Sequence, residues 1–198
     1  MTRVRSRSPY RQFVRWFRDA QRSRRIVFPE AMCLSTIDRR GHPDGRMVLL
    51  KGVSERGLVF YTNVHSVKGK ALLVRPQASL TWYWEPLRRQ VRIQGRTELV
   101  SDEEADAYFR SRPRAAQLSA WASRQSAPLA SRSLLERRVQ AFEKRFRGKP
   151  VPRPPFWVGF RVVPVRVEFW QERPDRLHDR LLFTKTASGR WKLTRLYP

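Results

Sequence analysis

Hydrophobic positions along the chain follow two rhythms, and the rhythm changes wherever turn-forming residues cluster. Phe13, Val14 and Phe17 recur at helical spacing behind Ser8-Pro9, a pair suited to the cap and first position of a helix, so residues 8–22 are predicted to be an amphipathic helix. Residues 1–7 precede it as a basic tail. From Ala31 to Ile37 the pattern is apolar and β-compatible, and residues 38–45 are rich in Asp, Gly and Pro, the composition of a turn. Arg46–Val53 and Gly57–Asn63 then read as a hairpin across Ser54-Glu55-Arg56. A short helix is expected over Ser66–Val74, ended by Pro76, with strands at Ala78–Trp84 and Gln90–Val100 on either side of Glu85–Arg89.

The helical rhythm returns in mid-chain. Ser101-Asp-Glu-Glu104 is a capping box that opens a helix running through Ser111, and Pro113 starts another that reaches about Ala122. Ser131–Arg147 keeps the 3.6 period through Leu134, Leu135, Val139, Phe142 and Phe146. A proline-rich linker over 148–155 leads back to strands at Val158–Val163, Val165–Gln171, Leu181–Thr186 and Arg190–Leu196. Antiparallel strands with helices inserted between them predict an α+β fold, a small antiparallel β-barrel with peripheral helices, as one domain over 8–198.

Composition narrows the function. Apolar runs such as Met47–Leu50 are too short to span a bilayer, so no membrane-embedded segment is expected. The single cysteine, Cys33, excludes an intramolecular disulfide, and histidines at 42, 65 and 178 alone do not make a Cys/His zinc site; no metal is expected. The net charge of +25, with 35 arginines, points to anionic partners. Nucleic acid is the first candidate, but the basic positions are not interleaved with aromatics on one strand face, so only non-specific electrostatic binding is expected.

Three segments place polar groups where a strand alone would not need them. Arg46–Lys51, with Tyr61-Thr62-Asn63 and Ser66-Val67-Lys68, combines cations with the N-terminus of a short helix, which suits a phosphate; snorkelling basic strand ends are the plainer explanation. Tyr108, Arg112 and Arg114 surround a helix break, with Gln125-Ser126 further on, again suited to a phosphate or simply to a solvated helix end. Strand alternation would send Arg176, His178 and Arg180 to one face, three potential cations that repel unless an anion or carboxylate sits among them.

Taken together, Arg46–Lys51, Phe60–Asn63, Arg89-Gln90-Val91, Tyr108–Arg114, Arg124-Gln125-Ser126, Val167–Trp170 and Arg176–Arg180 resemble the pyridoxine (pyridoxamine) 5′-phosphate oxidase family, over about residues 8–198. The resemblance implies an FMN-binding split β-barrel, a cytoplasmic homodimer with FMN sites at the subunit interface. It implies oxidation of pyridoxine or pyridoxamine 5′-phosphate to pyridoxal 5′-phosphate, with O2 as acceptor and H2O2 released. FMN contacts would come from Arg46, Met47, Val48, Leu49, Leu50, Lys51, Tyr61, Thr62, Lys68, Gln90, Gln125, Ser126, Trp170 and Arg180. Lys51, Tyr108 and Arg112 would hold the phosphate of the small pyridine substrate, and Arg176 and His178 would act on its ring as the catalytic pair. The chain departs from the family pattern at Val67, commonly basic, at Ala116, commonly Ser, and in the short stretch Met1–Arg7 ahead of the first helix. Two other functions fit the same barrel: a phenazine-pathway type of flavoprotein oxidase acting on another substrate, and a basic nucleic-acid-binding module.

Overall fold

The structure is a computed structural model, and it describes residues 8–198. The expected basic tail, residues 1–7, lies outside the described residues. The first helix, α1 (Pro9–Arg22), opens on Pro9 as the sequence predicts and turns Phe13, Trp16 and Ala20 inward. It is followed by β1 (Ala31–Ile37), β2 (Pro43–Leu49), β3 (Gly52–Ser54), β4 (Gly57–Asn63), α2 (Val67–Val74), β5 (Gln77–Trp84) and β6 (Arg89–Leu99). Three helices come next, α3 (Asp102–Ser111), α4 (Arg114–Ala122) and α5 (Arg132–Arg145). The chain closes with β7 (Trp157–Gln171), β8 (Asp179–Lys185) and β9 (Trp191–Leu196).

The nine strands form one antiparallel sheet in the order β2-β1-β5-β6-β7-β4-β3, with β8 and β9 added beside β7. Strand β7 explains the split. Its first half, Trp157–Val162, pairs with β4, whereas Arg166–Gln171 on the same edge pairs with β8. One long strand thus carries two successive neighbours along one edge of the sheet. The sequence predicts two strands interrupted near Pro164; the structure has one, because Pro164 sits at a bulge opposite Gln94 and Gly95, where a missing N–H disrupts no regular ladder.

A second expectation is also corrected. Arg46–Val53 is not a single strand paired with Gly57–Asn63. Arg46–Leu49 belongs to β2 and pairs with β1, and only Gly52–Ser54 pairs with β4. Between them Leu50 N–H donates to Glu30 O and Lys51 N–H to Val59 O, so the chain changes ladders at these two residues.

The main core is aromatic. Phe13 meets Trp82 edge-on at 5.1 Å, and Trp16 meets Phe169 at 5.2 Å and 86°, which fastens α1 to β5 and β7. Each such buried ring contributes on the order of 2–3 kcal/mol in burial alone. A second cluster of Phe109, Leu118, Phe146, Val151 and Trp157 holds the three mid-chain helices against β7. The apolar stripe of α5 is buried deepest at its C-terminal end, where Phe142 and Phe146 pack on Trp121; Leu135 and Val139 are half-buried, and Leu134 stays exposed. No described helix is long and apolar enough to cross a membrane.

Candidate functional site

A cleft of about 390 Å³ opens between β2, β4 and the helices α3 and α4. Two stacked tyrosines and a tryptophan form its wall. Tyr61 lies 4.9 Å from Trp157 with planes 5° apart, and Tyr108 stacks on Tyr61 with its ring centroid 6.1 Å from that of Trp157. Gly159, opposite Tyr61 in the ladder, makes this possible, because a Cβ there would fall 2.6 Å from Tyr61 Cε1.

At one end, Thr62, Lys68 and Gln125 share a hydrogen-bonded triangle. Lys68 Nζ donates to Gln125 Oε1 at 3.0 Å and to Thr62 Oγ at 3.3 Å, and Thr62 Oγ also donates to Gln125 at 3.0 Å. Burial, and secondarily the nearby Arg46 charge, hold the Lys68 ammonium below its ordinary pKa. Lys68 is therefore a cation poorly compensated by protein groups, a state that an arriving anion relieves. Arg46 is fixed by donating to Thr36 Oγ at 2.8 Å and Leu34 O at 3.1 Å, with Asp44 as its ion-pair partner. Both sit near the N-terminus of α2, capped by Ser66, whose hydroxyl accepts from Gly69 N.

Beside the aromatic wall, Arg112 provides a second cation of the same cleft. Its guanidinium lies 4.9 Å over the Trp157 ring and 5.5 Å from Phe109. Its Nη1 is buried without a hydrogen-bond partner, and burial lowers its pKa. Burying a guanidinium N–H unpaired is costly, so this group is set up to receive an acceptor. Tyr108, Lys51 and Ala116 line the same region.

The predicted site residues thus fall into two groups. Met47, Val48, Leu49, Lys51, Tyr61, Thr62, Lys68, Tyr108, Arg112 and Gln125 line the cleft, and Met47 is left 64% exposed on an edge strand. Arg46 stands behind Lys68, and Leu50 turns away into the core. Ser126, at φ 70°, lines an adjoining cavity that shares Gln125 with the first.

Gln90, Trp170, Arg176, His178 and Arg180 form the other group, and none of them lines the cleft. Gln90 pairs with Trp170 in the β6–β7 ladder and Trp170 with Arg180 in the β7–β8 ladder. Trp170 lies 11 positions beyond Gly159 on β7, roughly 35 Å of strand. The His178 ring lies 4.7 Å from Trp170, and His178 Nδ1 accepts from Arg173 N–H, which leaves Nε2 to carry the proton of the neutral ring.

Arg176, His178 and Arg180 do not alternate on one strand, as the sequence suggests. Asp175 and Arg176 both have positive φ, 56° and 59°, in a short 3-10 turn, and β8 starts only at Asp179. Of the three, Arg180 has a carboxylate partner, Glu168, which belongs to the Val167–Trp170 motif. This buried carboxylate accepts from Arg180 Nε at 2.8 Å and lies 3.5 Å from Arg92. Asp179 does the same for Arg173 and Arg195; burial pushes its pKa up, but the two ion pairs outweigh that and hold it below the usual range. Trp157 falls between the linker read over 148–155 and the strand read from Val158, and no local pattern marks it as part of the wall of a cleft.

A divided antiparallel sheet with an aromatic, cation-ended cleft at its edge makes this a split β-barrel protein. The sequence profile described as "Pyridoxamine 5'-phosphate oxidase" matches residues 21–146, and that of the "Pyridoxine 5'-phosphate oxidase C-terminal dimerisation region" matches residues 157–198. A pyridoxine/pyridoxamine 5′-phosphate oxidase of Rubrobacter xylanophilus is 53% identical over 96% of this chain and 87% of the relative, and one of Azorhizobium caulinodans is 52% identical over 96% and 90%. Among solved structures, PhzG from Burkholderia lata, in complex with tetrahydrophenazine-1-carboxylic acid, superposes with a TM-score of 0.92 at 30% identity, covering 98% of this chain and 95% of that one. The chain belongs to the pyridoxamine 5′-phosphate oxidase family.

Proposed function

We propose that the protein is an FMN-dependent oxidase that converts pyridoxine or pyridoxamine 5′-phosphate to pyridoxal 5′-phosphate, with O2 as electron acceptor and H2O2 as by-product. The observation that carries this reading is the pair of cations, Lys68 and the partly unpaired Arg112, in one cleft lined by a stacked aromatic wall. Two anion receptors beside a flat surface suit two planar ligands, each bearing one phosphate.

The residues fit FMN. Lys68, Arg46 and the first amides of α2 would take its phosphate, while Met47–Leu50, Tyr61, Thr62, Gln125 and Ser126 would surround the rest. Bound FMN supplies the two-electron acceptor for a hydride from the substrate C4′. The chain supplies position: Lys51, Tyr108 and Arg112 would hold the substrate phosphate and so fix the ring's distance and tilt. Arg176 would orient the ring, and His178 would hold or pass a proton through Nε2 at a ring substituent.

Gln90, Trp170, Arg176, His178 and Arg180 stand on another part of the sheet, so the complete site calls for a homodimer in which the partner contributes this group. The apolar edge at Met47 and Leu49 supports that reading, as does the match of residues 157–198 to a dimerisation region. The likeness to PhzG makes an oxidase of an unphosphorylated ring carboxylate the second reading; the higher identity to pyridoxine/pyridoxamine 5′-phosphate oxidases, 53% against 30%, favours the phosphorylated substrate over it.

Purified protein incubated with FMN is expected to be yellow, to have twice the chain mass by light scattering, and to release peroxide with pyridoxine 5′-phosphate. A colourless monomer overturns the reading. Turnover with tetrahydrophenazine-1-carboxylic acid and none with either B6 phosphate transfers it to the second one.

A further inference from the structure

Arg153 lies outside the cleft but grips both elements that shape its Arg112 end. Its position in the chain is rigid: it stands between Pro152 and Pro154, so its own backbone is confined to extended conformations. Pro152 O accepts from Trp121 Nε1 at 2.8 Å, and Pro154 O from Trp157 N at 2.9 Å, which ties this segment to α4 and to the start of β7.

From this base the guanidinium, only 10% exposed, makes three directed bonds. Nε donates to Asp106 at 2.5 Å, Nη2 to Asp102 at 2.6 Å and Nη1 to the carbonyl of Trp157 at 2.8 Å. Asp102 and Asp106 are one turn apart on α3, and the same helix carries Tyr108 and ends at Arg112. Trp157 is the ring beneath Arg112 and beside Tyr61. One planar fork therefore sets the spacing between the helix that carries the phosphate-facing groups and the ring on which they rest.

The helix does not need this clamp in order to form. Ser101 caps it by accepting from Glu104 N, and three acidic residues in its first turn already complement its dipole. Nor does it need the clamp to stay attached, because Arg161, 4% exposed, pins the same turn through Glu104 at 2.5 Å and lies 3.4 Å from Glu98. What Arg153 adds is placement, and compensation of two carboxylates on a helix meant to receive an anion.

We propose that Arg153 is a positioning residue, whose clamp on Asp102, Asp106 and the Trp157 carbonyl sets the affinity of the Tyr108–Arg112 subsite for a phosphate monoester. This rests on the oxidase reading above. An arginine between two prolines and a pair of aspartates one helical turn apart form the juxtaposition that carries it.

The test compares the FMN-loaded wild type with Arg153→Gln, Arg153→Lys and Asp102→Asn, measuring kcat and KM for pyridoxine 5′-phosphate, the Kd for FMN, and the calorimetric Kd for pyridoxal 5′-phosphate. Arg153→Gln is expected to raise KM and the pyridoxal phosphate Kd about tenfold, with kcat within about twofold and FMN affinity unchanged. Arg153→Lys, which keeps the charge but not the fork, should recover only part of this. Asp102→Asn should raise both constants about threefold, since one prong is lost. An unchanged KM, or a parallel loss of kcat, KM and FMN binding, overturns the proposal. If the Arg153 variants fold poorly, Asp102→Asn decides it, because Asp102 is 82% exposed and its change leaves the core intact. A wild type without turnover overturns the oxidase reading, and the pyridoxal phosphate Kd of Asp102→Asn against wild type still decides the clamp.

Discussion

Tyr61 and Tyr108 stack with ring centroids 4.3 Å apart and planes 11° from parallel, joining β4 to α3 at the centre of the cleft. The contact is worth about 0.5–1.5 kcal/mol beyond area burial, and it leaves both phenols half-buried. Burial first, then the charge of Glu104, push the Tyr61 phenol up to about 12.

That shift makes a pH prediction. The folded protein holds the Tyr61 proton more tightly than the unfolded chain, whose tyrosine titrates near 10. Stability tied to this group is complete below pH 10 and is lost as pH rises toward 12. Thermal melts across that window should show a falling alkaline limb in the wild type and a shallower one in Tyr61→Phe, which keeps the stack. Equal limbs would remove Tyr61 as the cause.

Lys68 should show opposite effects on stability and binding. Its folded pKa is lowered by burial and by Arg46, so its charge costs stability at neutral pH, and that cost disappears as pH rises through the lowered pKa. Lys68→Met should stabilise the FMN-free protein by about 1 kcal/mol or less while weakening FMN binding about tenfold. Melting of the FMN-free protein and flavin fluorescence titration read the two sides separately.

Val67 opens α2 and is 53% exposed, beside a second cavity lined by Lys70, Arg124 and Arg138. Val67→Arg brings a cation to the helix start proposed for the FMN phosphate and should tighten the FMN Kd about tenfold. An unchanged Kd would mean that Lys70 or Arg124 already serves the phosphate.

Arg176 follows Asp175 in the left-handed region, a conformation non-glycine residues adopt at a cost of roughly 1 kcal/mol and keep where their placement matters. Arg176→Leu should lower kcat/KM by about 3 kcal/mol, near a hundredfold, with FMN affinity retained. Near-normal kcat/KM would show that Arg176 does not reach the substrate.

The sequence by itself determined the elements whose signals are local. The Ser8-Pro9 start of α1, the Ser101 capping box of α3 and the strands Ala31–Ile37 and Gly57–Asn63 were legible because caps and period-2 or period-3.6 patterns depend on near neighbours. The motif residues of the site were legible too, but only through resemblance; residue by residue, each had a plausible surface explanation. Tertiary structure decided where those motifs meet. Arg46–Val53 looked like one strand because its composition is uniformly β-compatible, yet the switch at Leu50 and Lys51 is set by Glu30 and Val59, partners that only the folded sheet brings near. Pro164 looked like a break because the bulge that tolerates it is a property of the β6–β7 pairing. Trp157 and Arg153 could not be singled out for the same reason, and Glu168, though part of the Val167–Trp170 motif, could not be paired with Arg92 and Arg180: ring contacts, forks and buried ion pairs depend on groups distant in sequence. The α5 stripe shows the converse, since periodicity states which face is apolar but not how much of it finds a partner, and Leu134 finds none within this chain's core.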